Sequence, residues 1–343
     1  MIRTEKNGLN GTLHSDTPPR NGTCAACTGR DRKGGRDDAV SSVVALMLLL
    51  AVIATFISLY ATSYVPGLKE QSEIDQVKSV KEAFMESSND IRHIASGKIS
   101  ASYGHLVPLG AGDILMSPEK SSGTLTVTDI GAFAEIRTTP TGAPNATCNM
   151  TSIAFEPSYT FWEEQGYTWQ YGYINVTKKG KEVPVTGFTM EDVLSGDEGE
   201  FSRLAKEFIT FDKEERDADG NLTSLRINVV TITPGSSTFI SGNNPATLRI
   251  CAKDPETKPI CTDYLRFNFT NSTGTRIKTE FSKHLADTTE IYLKDLSTRY
   301  GNIPEPDTVR GVDDSNDTIT LKVDDSSPVA VTIRTVHIIV SAS

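Results

Sequence analysis

The sequence lacks a basic excess, a cluster of histidines and a catalytic motif. Its 343 residues carry 34 Lys and Arg against 44 Asp and Glu, a formal net charge of -10. Because nucleic-acid phosphates bind to a basic face, this balance argues against a nucleic-acid partner. The five histidines are scattered, and no HExxH helix, phosphate-binding loop or nucleophile elbow is present. We therefore expect no catalytic residues, no cofactor and no metal, and a protein that is not an enzyme.

Metal-ligand patterns are also sparse. The segment Asp217–Asn221 resembles the opening of a calcium loop, but Asn228 stands where an EF-hand places its last glutamate. The same segment is typical of a turn between two strands, and this is the interpretation we favour.

Tryptophan is scarce, and both tryptophans lie in one aromatic segment, Tyr159–Tyr173. Tyr and Trp are enriched at binding surfaces, so the segment fits a stacking platform for sugars or a subunit contact. The favoured alternative is one strand at a sheet centre, whose alternate rings fill the core.

One long apolar run is present. Residues 39–65 contain no charged side chain, and a helix of about 20 apolar residues spans a bilayer core. The basic stretch Gly29–Arg36 precedes the run, and short basic flanks stay cytoplasmic. We predict a single-pass membrane protein with residues beyond Pro66 outside the cell. A permanent anchor, a signal peptide cut after the run and a leader cut before it are the alternatives.

The residues from Arg36 to Leu46, RDDAVSSVVAL, closely resemble the start of archaeal type IV pilins, in which a basic-polar leader precedes a hydrophobic helix. The resemblance implies that a prepilin peptidase, a membrane-embedded aspartic peptidase, cuts the chain near Asp38 and Ala39. It also implies that the hydrophobic helix packs against copies of itself or other pilin-like subunits at the cell surface.

Small side chains recur within the apolar run at spacings of three, four and three. Small residues let membrane helices approach closely, so this stripe favours helix packing between subunits. Its members are Ala51, Ala54, Ser58 and Ala61.

An amphipathic stretch follows the apolar run. Pro66 should kink the helix without necessarily ending it. Beyond it, a narrow apolar stripe on a charged helix is predicted to pack against the domain that follows. The stripe consists of Val77, Val80, Phe84, Ile91 and Ile94.

From Ala101 onward, short β-rich runs alternate with Gly, Pro, Asn and Asp. The predicted fold is α+β: a long N-terminal hydrophobic helix kinked near Pro66, then a mostly antiparallel β-sandwich-like ectodomain with two short helices. The expected helices are Glu200–Ile209 and Glu280–Ser297. We expect four regions: a cytoplasmic basic leader over 1–38, disordered and open to cleavage, a transmembrane, pilin-like helix over 39–65, an amphipathic helical stalk over 66–98 and a β-rich extracellular domain over 99–343.

The candidate strands are Gly123–Thr128, Ala132–Thr138, Trp169–Thr177, Leu225–Thr233, Thr247–Lys253, Ile260–Asn268 and Val329–Val340. A turn over Asp254–Pro259 predicts that the strands Thr247–Lys253 and Ile260–Asn268 pair as an antiparallel hairpin. In this hairpin Cys251 faces Cys261. In an oxidising exterior these two cysteines form a cross-strand disulfide, and two reduced cysteines are the alternative.

Seven N-x-Thr sequons follow the apolar run, which is an excess for this composition and predicts N-linked glycans on an external domain. They begin at Asn145, Asn149, Asn175, Asn221, Asn268, Asn271 and Asn316. Two function classes remain open. One is a structural subunit, minor or specialised, of a surface filament. The other is a monomeric, membrane-anchored surface glycoprotein that binds a ligand, a surface or a partner protein.

Overall fold

A computed structural model describes residues 37–114, 117, 119–185, 200–270, 276–311, 316–323 and 328–343, with side chains from residue 42 onward. The chain divides into two compact units, one that ends at Ile57 and one that runs from Ser58 to Ser343. The helices are α1 (Asp37–Leu59), a π-helical segment (Tyr60–Tyr64), α2 (Val65–Gly97), α3 (Glu200–Phe208) and α4 (Arg276–Arg299).

The described residues form fifteen strands. In chain order they are β1 (Ala101–Pro108), β2 (Ser122–Arg137), β3 (Ala146–Ser158), β4 (Gln165–Gln170), β5 (Tyr173–Lys178), β6 (Lys181–Pro184), β7 (Ile209–Arg216), β8 (Leu222–Pro234), β9 (Phe239–Gly242), β10 (Pro245–Ala252), β11 (Glu256–Thr262), β12 (Tyr264–Phe269), β13 (Asp307–Val309), β14 (Asp317–Lys322) and β15 (Val329–Ala342).

The strands form two sheets. A six-stranded sheet has the order β1-β10-β15-β8-β7, and β11 also pairs with β15. A nine-stranded sheet has the order β13-β14-β12-β2-β3-β4-β5-β6, and β9 pairs with β2. The pairing of β15 with β8 is parallel, whereas the other strand pairs described are antiparallel. The predicted α+β class, with mostly antiparallel sheets, is confirmed.

Strand β8 is an interior strand of the six-stranded sheet, with β15 on one side and β7 on the other. Its residues from Ile227 to Ile232 are all buried, a continuous run rather than the alternation of a half-exposed strand. Such a run is typical of a strand covered on both faces. Side chains of β3 reach it from the other sheet: Thr151 Oγ1 donates to the carbonyl oxygen of Ile232 at 3.1 Å.

Helix α2 belongs to the same unit as the strands and packs against β1 and β4. All five members of the predicted apolar stripe are at most 8% exposed, because the 3.6-residue period places them on one face. Phe84 meets Tyr167 of β4 with ring centroids 6.0 Å apart. The predicted packing of this helix on the β domain is confirmed.

The helix does not end at Pro66. The N–H of Val65 instead donates to the carbonyl oxygen of Tyr60, five residues earlier, and closes a π turn. Since Pro66 has no N–H, it cannot donate to the carbonyl of Thr62, and the widened turn stands directly before it. The predicted irregularity near Pro66 therefore takes the form of a π-helical segment.

The two predicted short helices are present as α3 and α4, but four strand predictions need correction. Gly123–Thr128 and Ala132–Thr138 belong to one strand, β2, which is interrupted by bulges after Asp129 and Ala132. Trp169–Thr177 is not one strand, because a turn at Tyr171 and Gly172 divides it into β4 and β5. Ile260–Asn268 is divided between β11 and β12, which lie in different sheets.

The predicted hairpin between the two cysteine-bearing strands is wrong. Strands β10 and β11 do not pair with each other. They follow one another along the same edge of β15, interrupted at residues 253–255, where the N–H of Lys253 still donates to the carbonyl of His337 at 3.2 Å. Pro259 is tolerated in β11 because that strand is an edge strand, with no neighbour that needs its missing N–H.

The predicted Cys251–Cys261 disulfide is therefore also wrong. Cys251 pairs with Ile339 and Cys261 with Ala330. Nine residues of β15 separate these two partners, which is about 30 Å along a strand. A disulfide needs Cα atoms about 4.4–6.8 Å apart, and both thiols are free and exposed.

Candidate functional site

The candidate site is the exposed apolar surface of α1. Every large apolar side chain from Val43 to Leu59 is between 45% and 68% exposed, with Ile53 and Phe56 at the two limits. The exposed positions run right around the helix, since they include consecutive residues such as Leu48, Leu49 and Leu50. The helix is long and apolar enough to cross a membrane, and this is compatible with single-pass anchoring.

Two threonine hydroxyls in this helical region are satisfied locally. The hydroxyl of Thr55 donates to the carbonyl oxygen of Ala51 at 2.7 Å. The hydroxyl of Thr62 donates to the carbonyl oxygen of Ser58 at 2.8 Å. In a hydrocarbon environment a hydrogen-bond donor without an acceptor raises the free energy by roughly several kcal/mol. Bonding to the preceding turn removes that cost, so the two threonines are suited to a lipid environment.

The predicted packing stripe divides between two kinds of helix. Ala51, Ala54 and Ser58 lie in α1, whereas Ala61 lies in the π-helical segment. All four are exposed. Because a π turn holds more residues than an α turn, Ala61 is rotated off the line of the other three. The regular part of the stripe is therefore Ala51, Ala54 and Ser58, and its role in subunit packing stays a prediction.

The predicted processing residues, Asp38 and Ala39, lie in the first turn of α1, which begins at Asp37. Their side chains lie outside the described part of the chain. Nothing in the fold tests cleavage at this bond, and processing there stays a prediction.

Sequence reasoning missed a group of buried polar side chains at the start of α2. Lys69, Glu73 and Gln76 are 3%, 2% and 5% exposed. Lys69 Nζ donates to the carbonyl oxygen of Glu119 at 3.0 Å, and Gln76 Nε2 donates to that of Pro108 at 2.8 Å. Their spacing of four and three continues the apolar face of α2 toward its N-terminus. This helical spacing was the sequence signal that could have predicted their burial. The polar character of the three side chains suggested instead that they face solvent.

Glu73 makes the most extensive of these contacts. Its carboxylate accepts hydrogen bonds from three successive backbone N–H groups, those of Thr160, Phe161 and Trp162, at 3.1, 3.0 and 2.7 Å. A carboxylate that accepts several N–H donors forms strong, charge-assisted hydrogen bonds. One helix side chain therefore determines the position of the loop between β3 and β4.

Glu73→Ala is expected to lower the free energy of unfolding by about 3 kcal/mol, because three partly buried N–H donors lose their acceptor at once. Urea unfolding of the detergent-solubilised full chain, followed by tryptophan fluorescence, measures the loss. The matched control is Glu82→Ala, an exposed carboxylate on the same helix, which should leave stability unchanged. Equal stability of the two variants would contradict a structural role for the Glu73 contacts.

The aromatic segment contributes mainly to the core, as favoured, although it does so from two strands and the turn between them. Phe161 is 38% exposed, but four rings are at most 6% exposed: Tyr167, Trp169, Tyr171 and Tyr173. Trp169 Nε1 donates to Ser88 Oγ of α2 at 3.0 Å. Most of these rings are thus inaccessible to a sugar.

The sequon asparagines differ in exposure. Asn316 is exposed, whereas Asn175 is fully buried, with Nδ2 3.3 Å from Glu182 Oε2. A glycan on Asn175 is incompatible with this fold, which corrects that prediction. Asn271 lies outside the described residues. The others are half-buried, and their amides contact Thr138 (Asn145), Thr231 (Asn149), Asp217 (Asn221) and Arg266 (Asn268). Glycosylation at the accessible sequons stays a prediction.

The segment Asp217–Asn221 is a turn between β7 and β8, as favoured. Asp217 Oδ1 accepts the N–H groups of Asn221 and Asp219 at 2.7 and 3.0 Å, and these donors lower the pKa of the carboxyl. Among the described residues no group of three or more His, Cys, Asp or Glu is placed to hold a metal ion. Comparison of the chain with protein-family models, with curated proteins and with solved structures finds no match.

Proposed function

We propose that this chain is an archaeal type IV pilin-like cell-surface glycoprotein, and a structural, minor or specialised, subunit of a surface filament. The observation that carries the proposal is the all-round exposure of the apolar side chains of α1. A surface of this kind is stable in lipid or against other apolar helices, and a pilin-type helix uses both environments in turn. The pilin-like residues Arg36 to Leu46 support the same conclusion.

In this proposal the N-terminus is cytoplasmic and the β-rich unit is an extracellular, glycosylated head whose two sheets form a sandwich. The partners are the membrane, other pilin-like subunits and a prepilin peptidase. The polar contacts of Lys69, Glu73 and Gln76 bind the start of α2 to two loops and to the end of β1 in the head. Such contacts suit a subunit whose helix transmits force to its head.

N-terminal sequencing of the native protein is the direct test. We expect the mature chain to start at or near Ala39, and the protein to sediment with filaments sheared from the cells. An intact Met1 on a chain that is extracted only as a detergent-solubilised monomer would overturn the filament proposal. That result would favour the alternative, a monomeric membrane-anchored glycoprotein that binds a ligand, surface or partner.

A further inference from the structure

The buried face of α2 continues to the residue at which the uncharged run ends. Val65, Lys69 and Glu73 are spaced four residues apart and are 7%, 3% and 2% exposed. This spacing places the three side chains on one side of the helix. Val65 is the last residue of the uncharged run 39–65, and it belongs to the unit Ser58–Ser343. On this side, α2 is therefore buried from the very end of the run.

The length of the run places its end at the lipid headgroups. Residues 39–65 are helical throughout, and a helix of this length extends about 40 Å. A bilayer is about 40–45 Å thick when its headgroup layers are included. With α1 as the membrane anchor, Val65 lies at the outer headgroup layer. The loops that pack against the start of α2 then lie close to the same level.

The loop between β3 and β4 is fixed at this end of α2. Glu73 accepts hydrogen bonds from the N–H groups of Phe161 and Trp162 at 3.0 and 2.7 Å. Lys69 Nζ lies 5.4 Å from the centroid of the Phe161 ring. Side chains on a helix are directed toward its N-terminus, so these contacts hold Phe161 on the membrane side of the loop. Phe161 is nevertheless 38% exposed, and the loop therefore presents an apolar ring at a fixed position.

The helix presents further rings and an aliphatic side chain at the same end. Tyr64 and Leu68 are 59% and 36% exposed, and the ring centroids of Tyr60 and Tyr64 lie 5.5 Å apart. Their spacing of four places them along one side of the helix. Tyrosine is enriched at membrane–water interfaces because its ring is apolar and its hydroxyl is polar. Phenylalanine and leucine are typical of the apolar side of interfacial segments.

The charged side chains nearby do not favour an anionic lipid. Lys69 is buried, and its Nζ donates to the carbonyl oxygen of Glu119 at 3.0 Å. Lys120 pairs with Asp113 at 2.9 Å, whereas Glu70 and Glu119 are exposed carboxylates. Contact with lipid would therefore depend on the rings and not on attraction between opposite charges.

We propose that the β-rich unit binds the headgroup layer of the bilayer through the surface formed by Tyr60, Tyr64, Leu68 and Phe161. The partner is a lipid interface because this surface begins within the uncharged run and continues directly from it. The inference rests on the anchoring by α1 in the proposed function, and it adds a second contact with the membrane. In this arrangement Glu73 holds Phe161 at the interface.

Fluorescence quenching by a lipid with a nitroxide on its headgroup tests the proposal, with the full chain reconstituted into phosphatidylcholine liposomes. F161W/W162F moves the tryptophan of the loop to the exposed position, and W162F is the matched control. Both variants retain Trp169, which is buried and bonded to Ser88 of α2, about 35 Å along the helix from Val65. We expect the nitroxide to quench F161W/W162F at least about twofold more than W162F, because only the ring at 161 meets headgroups. Added anionic lipid should leave this ratio unchanged.

Flotation of the same liposomes separates this inference from the proposed function. Equal quenching of the two variants in liposomes that carry the chain would overturn the inference and leave anchoring by α1 intact. It would favour contact of Phe161 with another protein. A chain that does not float would overturn both. If F161W/W162F does not fold, W169F decides, since it retains Phe161 with Trp162 as the probe, and quenching no greater than that of W162F would count against the proposal.

Discussion

Replacement of Leu48 and Val52 by aspartate is expected to abolish membrane association of the chain. The two side chains are 63% and 53% exposed on α1 and lie near its middle. An aspartate at the centre of a membrane helix costs about 2.5–3.5 kcal/mol of insertion free energy, so two cost about 6 kcal/mol. The nine remaining Leu, Ile, Phe and Val side chains from Val43 to Leu59 contribute about 0.3–0.6 kcal/mol each, or about 3–5 kcal/mol together, which is less than the cost of the pair.

Flotation of the full chain with liposomes measures this effect. The matched control is the double variant Leu106→Asp and Ile291→Asp, which replaces two aliphatic side chains that are each 69% exposed outside α1. The control should float with the liposomes, and the α1 variant should remain in the soluble fraction. Flotation of both variants would show that α1 does not anchor the chain.

Phe281→Ala is expected to lower the free energy of unfolding by about 4 kcal/mol. Phe281 of α4 is fully buried and contacts four other rings. Its ring centroid lies 5.3 Å from Phe133, 5.1 Å from Tyr171, 5.2 Å from Phe201 and 5.6 Å from Phe208. Removal of a buried phenylalanine side chain typically costs about 3–5 kcal/mol, because a cavity is left where the ring was.

Urea unfolding of the detergent-solubilised full chain measures the change, with the buried Trp169 as an intrinsic probe. Ile291→Ala on the same helix is the control, since that side chain is 69% exposed and its removal leaves no cavity. Phe281→Leu should fall between the two because it refills part of the space. A loss below about 1 kcal/mol for Phe281→Ala would contradict a central role for this cluster.

The helical parts of the fold could be predicted because their patterns are local and repeated. The apolar run of α1 and the α2 stripe from Val77 to Ile94 extend over several turns, so each turn repeats the same evidence. The helices α3 and α4 could be located for the same reason. By contrast, the charge of Glu73 taken alone predicts a side chain that faces solvent. Its burial depends on N–H groups 87 to 89 residues later in the chain, which no local pattern records.

Strand pairing shows the same limit. The segment Asp254–Pro259 has the composition of a turn, and turn composition alone favours a hairpin. The chain instead continues along β15, a strand of fourteen residues whose edge accommodates both β10 and β11. Pairing with β15 extends over more residues than a pairing of the two short strands with each other could. The same choice separated Cys251 from Cys261.

The sequence by itself determined the apolar α1 helix, the amphipathic face of α2, the α+β class and the acidic character of the chain. These features depend on side-chain type and spacing along a single segment. Only the tertiary structure decided which strands pair, which polar side chains are buried and which sequons are accessible. Those features require contacts between segments distant in sequence, and their free energies depend on what each side chain meets after the chain has folded.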